Sequence, residues 1–212
     1  AMGDSPMGPF TFQGVIMDES PVGCWTNHHS ITEYNGQWYL FYHHNDYSPQ
    51  FDKNRSVRID SLFFNADGTI RKVKPTLRGV GVTPARNRIQ VDRYTAISPY
   101  GVTIDYLNPA SPFDGWQALL LRADTWLVYN SVDFGAIPVK RLKARVRSEK
   151  GGEIILRTTG DKGVILSRLL VEPTEQWTDL DTDILHAPSG VQNLRVESVG
   201  QAPVAIDWLC FE

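Results

Sequence analysis

An Asn35-Gly36 dipeptide set between two alternating apolar runs constrains this chain more than any other short feature. Both residues tolerate positive φ, as a type I′ turn demands, so the flanking runs are predicted to fold back as a hairpin. The first run is Ser30-Ile31-Thr32-Glu33-Tyr34; the second, Gln37-Trp38-Tyr39-Leu40-Phe41-Tyr42, is dense in aromatics. Asn27-His28-His29 leads in and His43-His44 leads out. The hairpin therefore gathers imidazoles and an amide at one strand end, where sheet proteins commonly build sites.

Alternation continues on both sides of the hairpin. Residues 10–16, 29–34, 37–43, 55–64 and 69–73 read as strands, with turn chemistry at Pro21, Pro49 and Asp67-Gly68 between them. A lone sheet of this size buries little and needs neighbours. Residues 74–87, rich in Pro and Gly and without apolar period, read as a linker or closing strand and then a domain boundary. Strands are expected beyond it at 88–95, 102–107, 116–122, 125–134, 140–148, 153–158, 163–171, 177–184, 191–199 and 204–211. Their spacing, with Gly, Pro and Asp in the turns, predicts a β-sandwich. No stretch keeps a helical period beyond two turns, so the fold class is all-β.

The 212 residues hold one large domain or two small ones, and 42% hydrophobic content is enough for packed cores. A net charge of −3 offers no general attraction for nucleic acid or an anionic membrane, and neither is expected as a partner. No apolar run reaches the roughly 20 residues that span a bilayer. The one basic stripe, on alternate residues of Lys140–Arg147, reads as a solvated strand face, with a polyanion site as the alternative. Cys24 and Cys210 stand near opposite ends and are expected free or buried, a disulfide being the alternative in an oxidising compartment. No signal-like segment opens the chain, so either Ala1–Gly3 is a cloning scar or the chain is expected to begin within a longer protein.

Four motifs in order, SPMGPFTFQG, TNHHSI, NGQWYLFYHH and RSVRIDSLFFNADGTI, make Ser5–Val80 resemble the closing part of a glycoside hydrolase family 43 catalytic domain. Such domains are five-bladed β-propellers that cut xylan- and arabinan-type glycosides. Five further motifs, RIQVDRYT, TWLVYNSVDFG, KARVRSEKGGEIILR, EQWTDLDTDI and VAIDWLCFE, make residues 88–212 similar to a carbohydrate-binding module of family 6, a jelly roll. The resemblance implies two domains, the last propeller blade at 1–82 and a β-sandwich at 86–212. It implies a secreted or periplasmic parent, a β-xylosidase or α-L-arabinofuranosidase acting with inversion on arabinoxylan or xylo-oligosaccharides. Its partners would be plant cell-wall oligo- and polysaccharides and the remaining N-terminal blades. A free-standing, non-catalytic carbohydrate-binding protein is the rival reading.

The His pairs invite a third reading, a zinc hydrolase, because imidazole is a common transition-metal ligand. Adjacent strand residues point to opposite faces, however, so each pair offers one ligand per side and a structural role is the plainer expectation. By resemblance His28 takes the position of the histidine at the propeller axis. Arg55 takes that of an active-site arginine, with Arg58 the alternative if the register differs. Glycoside hydrolysis needs an acid and a base flanking the scissile bond. The resemblance places these on earlier blades, and Asp4, Asp18, Glu19, Asp46, Asp52 and Asp60 are read as turn or strand-edge residues outside any matching motif. No catalytic residue is therefore expected in this chain. In the second domain Trp177 takes the position of a sugar-stacking tryptophan. The opposing aromatic is replaced at Leu119-Leu120, with Trp116 as a substitute, and a ligand-binding Asn is replaced by Ala205. Asp92 and Asp207 match the acids that hold a structural calcium.

Overall fold

The computed structural model describes residues 1–19, 27–47, 55–160 and 163–212. Its contacts divide the chain into two compact units, Ala1–Val80 and Gly81–Glu212. Almost all regular structure is β, the exception being a 3₁₀ turn at Pro112–Asp114.

In the first unit, β1 (Met2–Gly3) pairs with β2 (Phe10–Thr11), and β3 (Ser30–Tyr34), β4 (Gln37–His44) and β5 (Ser56–Leu62) form an antiparallel meander. Asn35 and Gly36 both adopt positive φ, and the register Tyr34↔Gln37 closes the two-residue loop that the dipeptide predicts. The run 10–16 is a strand only at Phe10–Thr11, because Gly14 takes a φ of +140° and Phe12 and Val15 stay exposed. The run 69–73 reduces to single bridges, Phe64↔Ile70 and Met17↔Val73. Among the described residues the core of this unit is Leu40, Tyr42, Leu62 and Val73, with Ile16, Met17, Ile31 and Ile70 packed against them.

The second unit is a sandwich of two sheets. Its strands are β6 (Thr83–Pro84), β7 (Ile89–Gln90), β8 (Ala96–Ile97), β9 (Val102–Tyr106), β10 (Trp116–Leu120), β11 (Trp126–Asp133), β12 (Arg141–Ser148), β13 (Gly152–Thr158), β14 (Ile165–Val171), β15 (Thr174–Asp183), β16 (Val191–Ser198) and β17 (Val204–Phe211). One sheet runs β15-β12-β17-β10-β9 with β7 also on β17; the other runs β14-β13-β16-β11-β6 with β8 also on β11. The expected strand 88–95 stops at Gln90, where the Arg93 N–H donates to the Gln90 carbonyl and turns the chain. The sandwich also begins earlier than residue 86: Thr83-Pro84 pairs with β11, and Ala85 is fully buried. Cys210 is a free thiol near the Arg86 carbonyl, and Cys24 lies outside the described residues.

Alternation fixes which residues meet between the sheets. Leu142, Ala144 and Val146 from β12 face Leu127, Leu156, Leu194 and Val196 from the other sheet in one cluster, which Phe134 and Phe211 close edge-to-face at 5.0 Å. Burying each such side chain stabilises the fold by about 1.5–3 kcal/mol. Truncating Leu156, which is wholly buried, to Ala should therefore cost about 2–5 kcal/mol. Denaturant unfolding should show a lower midpoint at unchanged slope.

Candidate functional site

Two polar clusters sit at one end of the β3-β4-β5 sheet, and strand alternation puts them on opposite faces. On one face the His28 N–H donates to His43 Nε2 at 3.1 Å, and the two rings meet edge-on at 5.9 Å. Accepting at Nε2 leaves the His43 proton on Nδ1 and favours the neutral ring. Burial pushes the His43 pKa down, and Arg55, His28 and His44 push it the same way. Arg55 shares strand parity with Val57, the cross-strand partner of His43. His28 and Arg55 are thus brought to one side, both exposed, with buried His43 beneath them.

On the other face Tyr42 Oη donates to Asp60 Oδ2 at 2.5 Å, and Thr76 donates to the same carboxylate from N (3.0 Å) and Oγ1 (2.6 Å). Burial first, then the bond to Asp60 and its charge, raises the Tyr42 pKa well beyond the usual phenol range. Arg58 reaches Asp46 at 3.6 Å and the Leu77 carbonyl at 3.4 Å, and His44 Nδ1 bonds Asp46. Asp60 is therefore no strand-edge residue: it is buried in mid-strand and fully engaged. Arg58 is equally internal, so Arg55, not Arg58, shares a side with His28. The same alternation splits the His pairs, and no three His, Cys, Asp or Glu residues gather as metal ligands among the described residues. The zinc reading has no cluster there to support it.

In the sandwich, one row crosses the outer face of the β12-containing sheet: Leu119 on β10 opposite Ala205 on β17, then Arg147 on β12. Trp177 follows on β15, in the irregular stretch where the β12–β15 register shifts between Val146 and Ser148. The Arg147 guanidinium lies 5.1 Å from the Trp177 ring centre and Arg145 lies 5.9 Å from it. Leu119, Arg147, Ser148, Glu149, Lys150, Pro203 and Ala205 line a cleft of about 370 Å³ at this end. Leu120 is fully buried in the core, so Leu119 alone occupies the expected sugar face. Trp116 has the strand parity of Ala118 and Leu120 and stacks on Tyr106 at 4.5 Å. The structure does not bring it to Trp177.

Asp207 is the unpaired residue of a bulge in β17, and both it and Asp92 are nearly buried (6% and 7% exposed). Burial raises the Asp207 pKa; Arg145, 3.4 Å away, and Arg88 pull it back only in part, and Asp179 adds to the rise. Asp92 sits beside Arg93 at 3.4 Å, just past β7, the strand that pairs with β17 at Trp208 and Leu209. Calcium takes six to eight oxygens. Asp92 and Asp207 would supply two of these, and backbone carbonyls would have to supply most of the rest.

A family model described as "Carbohydrate binding module (family 6)" matches residues 98–212, more than half of the chain. The chain belongs to that family. An arabinoxylan arabinofuranohydrolase of Paenibacillus polymyxa is 28% identical over 210 residues, covering 93% of this chain and 33% of that protein. A beta-xylosidase of Xylanibacter ruminicola is 51% identical over 76 residues, 35% of this chain and 23% of that protein. A crystal structure of a glycoside hydrolase family 43 arabinoxylan arabinofuranohydrolase from Bacillus subtilis in complex with cellotetraose superposes at TM-score 0.65 and 26% identity, covering 99% of this chain and 46% of that one. The chain thus spans a third or less of the length of the first two relatives.

Because His43 is held neutral, its folded-state pKa lies below the unfolded value near 6.5. The unfolded chain then binds more protons below about pH 6.5, so local stability is lost as pH falls from there toward the lower folded-state value. The His28 amide should keep its hydrogen-exchange protection above about pH 6.5 and lose it progressively below that. His43→Gln, which keeps an acceptor but does not titrate, should flatten that dependence.

Proposed function

We propose that this chain is the part of a glycoside hydrolase family 43-type β-xylosidase or α-L-arabinofuranosidase that joins a propeller blade to its family 6 module. The carrying observation is that a single arabinoxylan-active relative aligns through both units in order, over 93% of the chain. The grouping of exposed His28 and Arg55 over buried His43 supports an active-site-lining role, since a guanidinium offers a permanent charge and a planar donor fork to sugar hydroxyls or a carboxylate. The acid and base come from the parent protein outside this chain: Asp46 and Asp60 are bound to His44, Arg58, Tyr42 and Thr76, which leaves neither to act. Inversion needs two carboxyl groups about 6.5–9.5 Å apart with room for water. Trp38, Phe41, Phe63 and Phe64 remain well exposed on a unit whose described residues form a core of Leu40, Tyr42, Leu62 and Val73, in keeping with further blades as their cover. A secreted or periplasmic location follows from a polysaccharide substrate.

The purified chain should not hydrolyse aryl xylosides or arabinofuranosides, whereas a longer protein containing it should. Turnover by the chain alone, abolished by mutating one of its own carboxylates, would overturn the assignment.

The sandwich is proposed to bind cell-wall oligosaccharide at the Trp177 cleft, neutral xylo-oligosaccharides no tighter than about millimolar (roughly −4 kcal/mol), because Leu119 and Ala205 offer neither a second ring nor a hydrogen bond. Asp92 and Asp207 are proposed to hold calcium, whose charge would complete the partial compensation of Asp207. With calcium at about 100 times its Kd the linkage is ~2.7 kcal/mol, so a chelator should lower the sandwich Tm by several degrees. An unchanged melting curve with no bound calcium by elemental analysis would remove the metal.

A further inference from the structure

The outward residues of β12 are Arg141, Lys143, Arg145 and Arg147. Three of them have carboxylate partners. Arg141 bonds Asp181 and Asp183, Lys143 bonds Glu212, and Arg145 lies against Asp207 and Asp179. Arg147 breaks the series: among the described residues its partners are the Gln117 amide oxygen at 3.5 Å and the Trp177 ring, and no carboxylate pairs with it. Lys150, on the rim of the same cleft, has no carboxylate partner among the described residues either, and Glu149 beside it forms an ion pair with neither cation. The cleft that lacks the groups to grip a neutral sugar is therefore lined by two cations, Arg147 and Lys150, against one carboxylate, Glu149.

We infer that the Trp177 cleft selects an acidic sugar: an oligosaccharide bearing a hexuronate. A carboxylate can take both arms of the Arg147 fork, a geometry that a sugar hydroxyl cannot match. The C–H face of the same ring then covers Leu119 and Ala205, which form an apolar floor. Trp177 holds Arg147 in place by its π-face, and Lys150 adds a second, salt-sensitive attraction. The replacement of a hydrogen-bonding residue by Ala205 fits this ligand, because the carboxylate and not a ring hydroxyl becomes the anchor.

This inference rests on the proposal that the cleft binds sugar, and one titration separates the two. Calorimetry of the whole chain would compare glucuronic-acid-substituted xylotriose, the same compound with its carboxyl reduced to the alcohol, and unsubstituted xylotriose. The acid should bind at least tenfold tighter than its reduced form. That preference should vanish in R147Q, persist in R147K at a reduced level, shrink in K150Q and collapse in 0.5 M salt; both positions are accessible to solvent, and each variant's melting curve would be checked against the parent chain. Equal affinities for acid and alcohol, unaffected by R147Q, would overturn the uronate assignment while leaving sugar binding intact. No binding of any of the three would overturn both.

Discussion

The C-terminal strand organises the sandwich. β17 is hydrogen bonded to β12 on one side and to β10 and β7 on the other, so it ties together segments from Ile89 to Ser148. Its bulge at Asp207 matters as much as its pairing. Val204 and Ile206 face the core before the bulge, Leu209 and Phe211 after it, with two residues between the pairs instead of one. The extra residue turns Asp207 and Trp208 away from the core cluster, Asp207 toward Arg145 and Trp208 under the Arg88 guanidinium at 4.4 Å. A bulge that adds one residue to one strand re-aims everything beyond it. The proposed metal position thus depends on a single irregularity.

Much of this architecture is legible in the sequence, because period-2 alternation and turn residues report directly on which face is buried. The Asn35-Gly36 hairpin and the Leu142, Ala144, Val146 stripe are read without any structure. The strand Ser56–Leu62 is not. By pattern Val57 and Ile59 would face in, yet Val57 is 72% exposed while Arg58 and Asp60 are buried. Hydrophobicity loses here because partners distant in sequence satisfy the polar groups: Tyr42 and Thr76 for Asp60, Asp46 and the Leu77 carbonyl for Arg58. Burying a polar group costs several kcal/mol unless it is bonded, and nothing local in the sequence announces these bonds.

The boundary between the units shows the same limit. Residues 74–87 look featureless, but Thr76 and Leu77 complete the first unit's polar knot, and Thr83–Ala85 belong to the second unit's sheet and core. Pro and Gly content identifies a change of direction. It does not distinguish a loose tether from two tight edges laid end to end.

Charge placement along β12 carries the last step. Read as sequence, Lys140–Arg147 is a uniform basic stripe that reads as a solvated strand face, with a polyanion site as the alternative. The facing aspartates of β15 and the Glu212 carboxylate remove that uniformity by pairing with Arg141, Lys143 and Arg145. Exposed pairs of this kind contribute only about 0.2–1 kcal/mol each to stability. Their larger effect is on recognition, because neutralised rungs present no net field to a long polyanion. What remains is one guanidinium beside one tryptophan, a feature the size of a single sugar ring and suited to a single carboxylate.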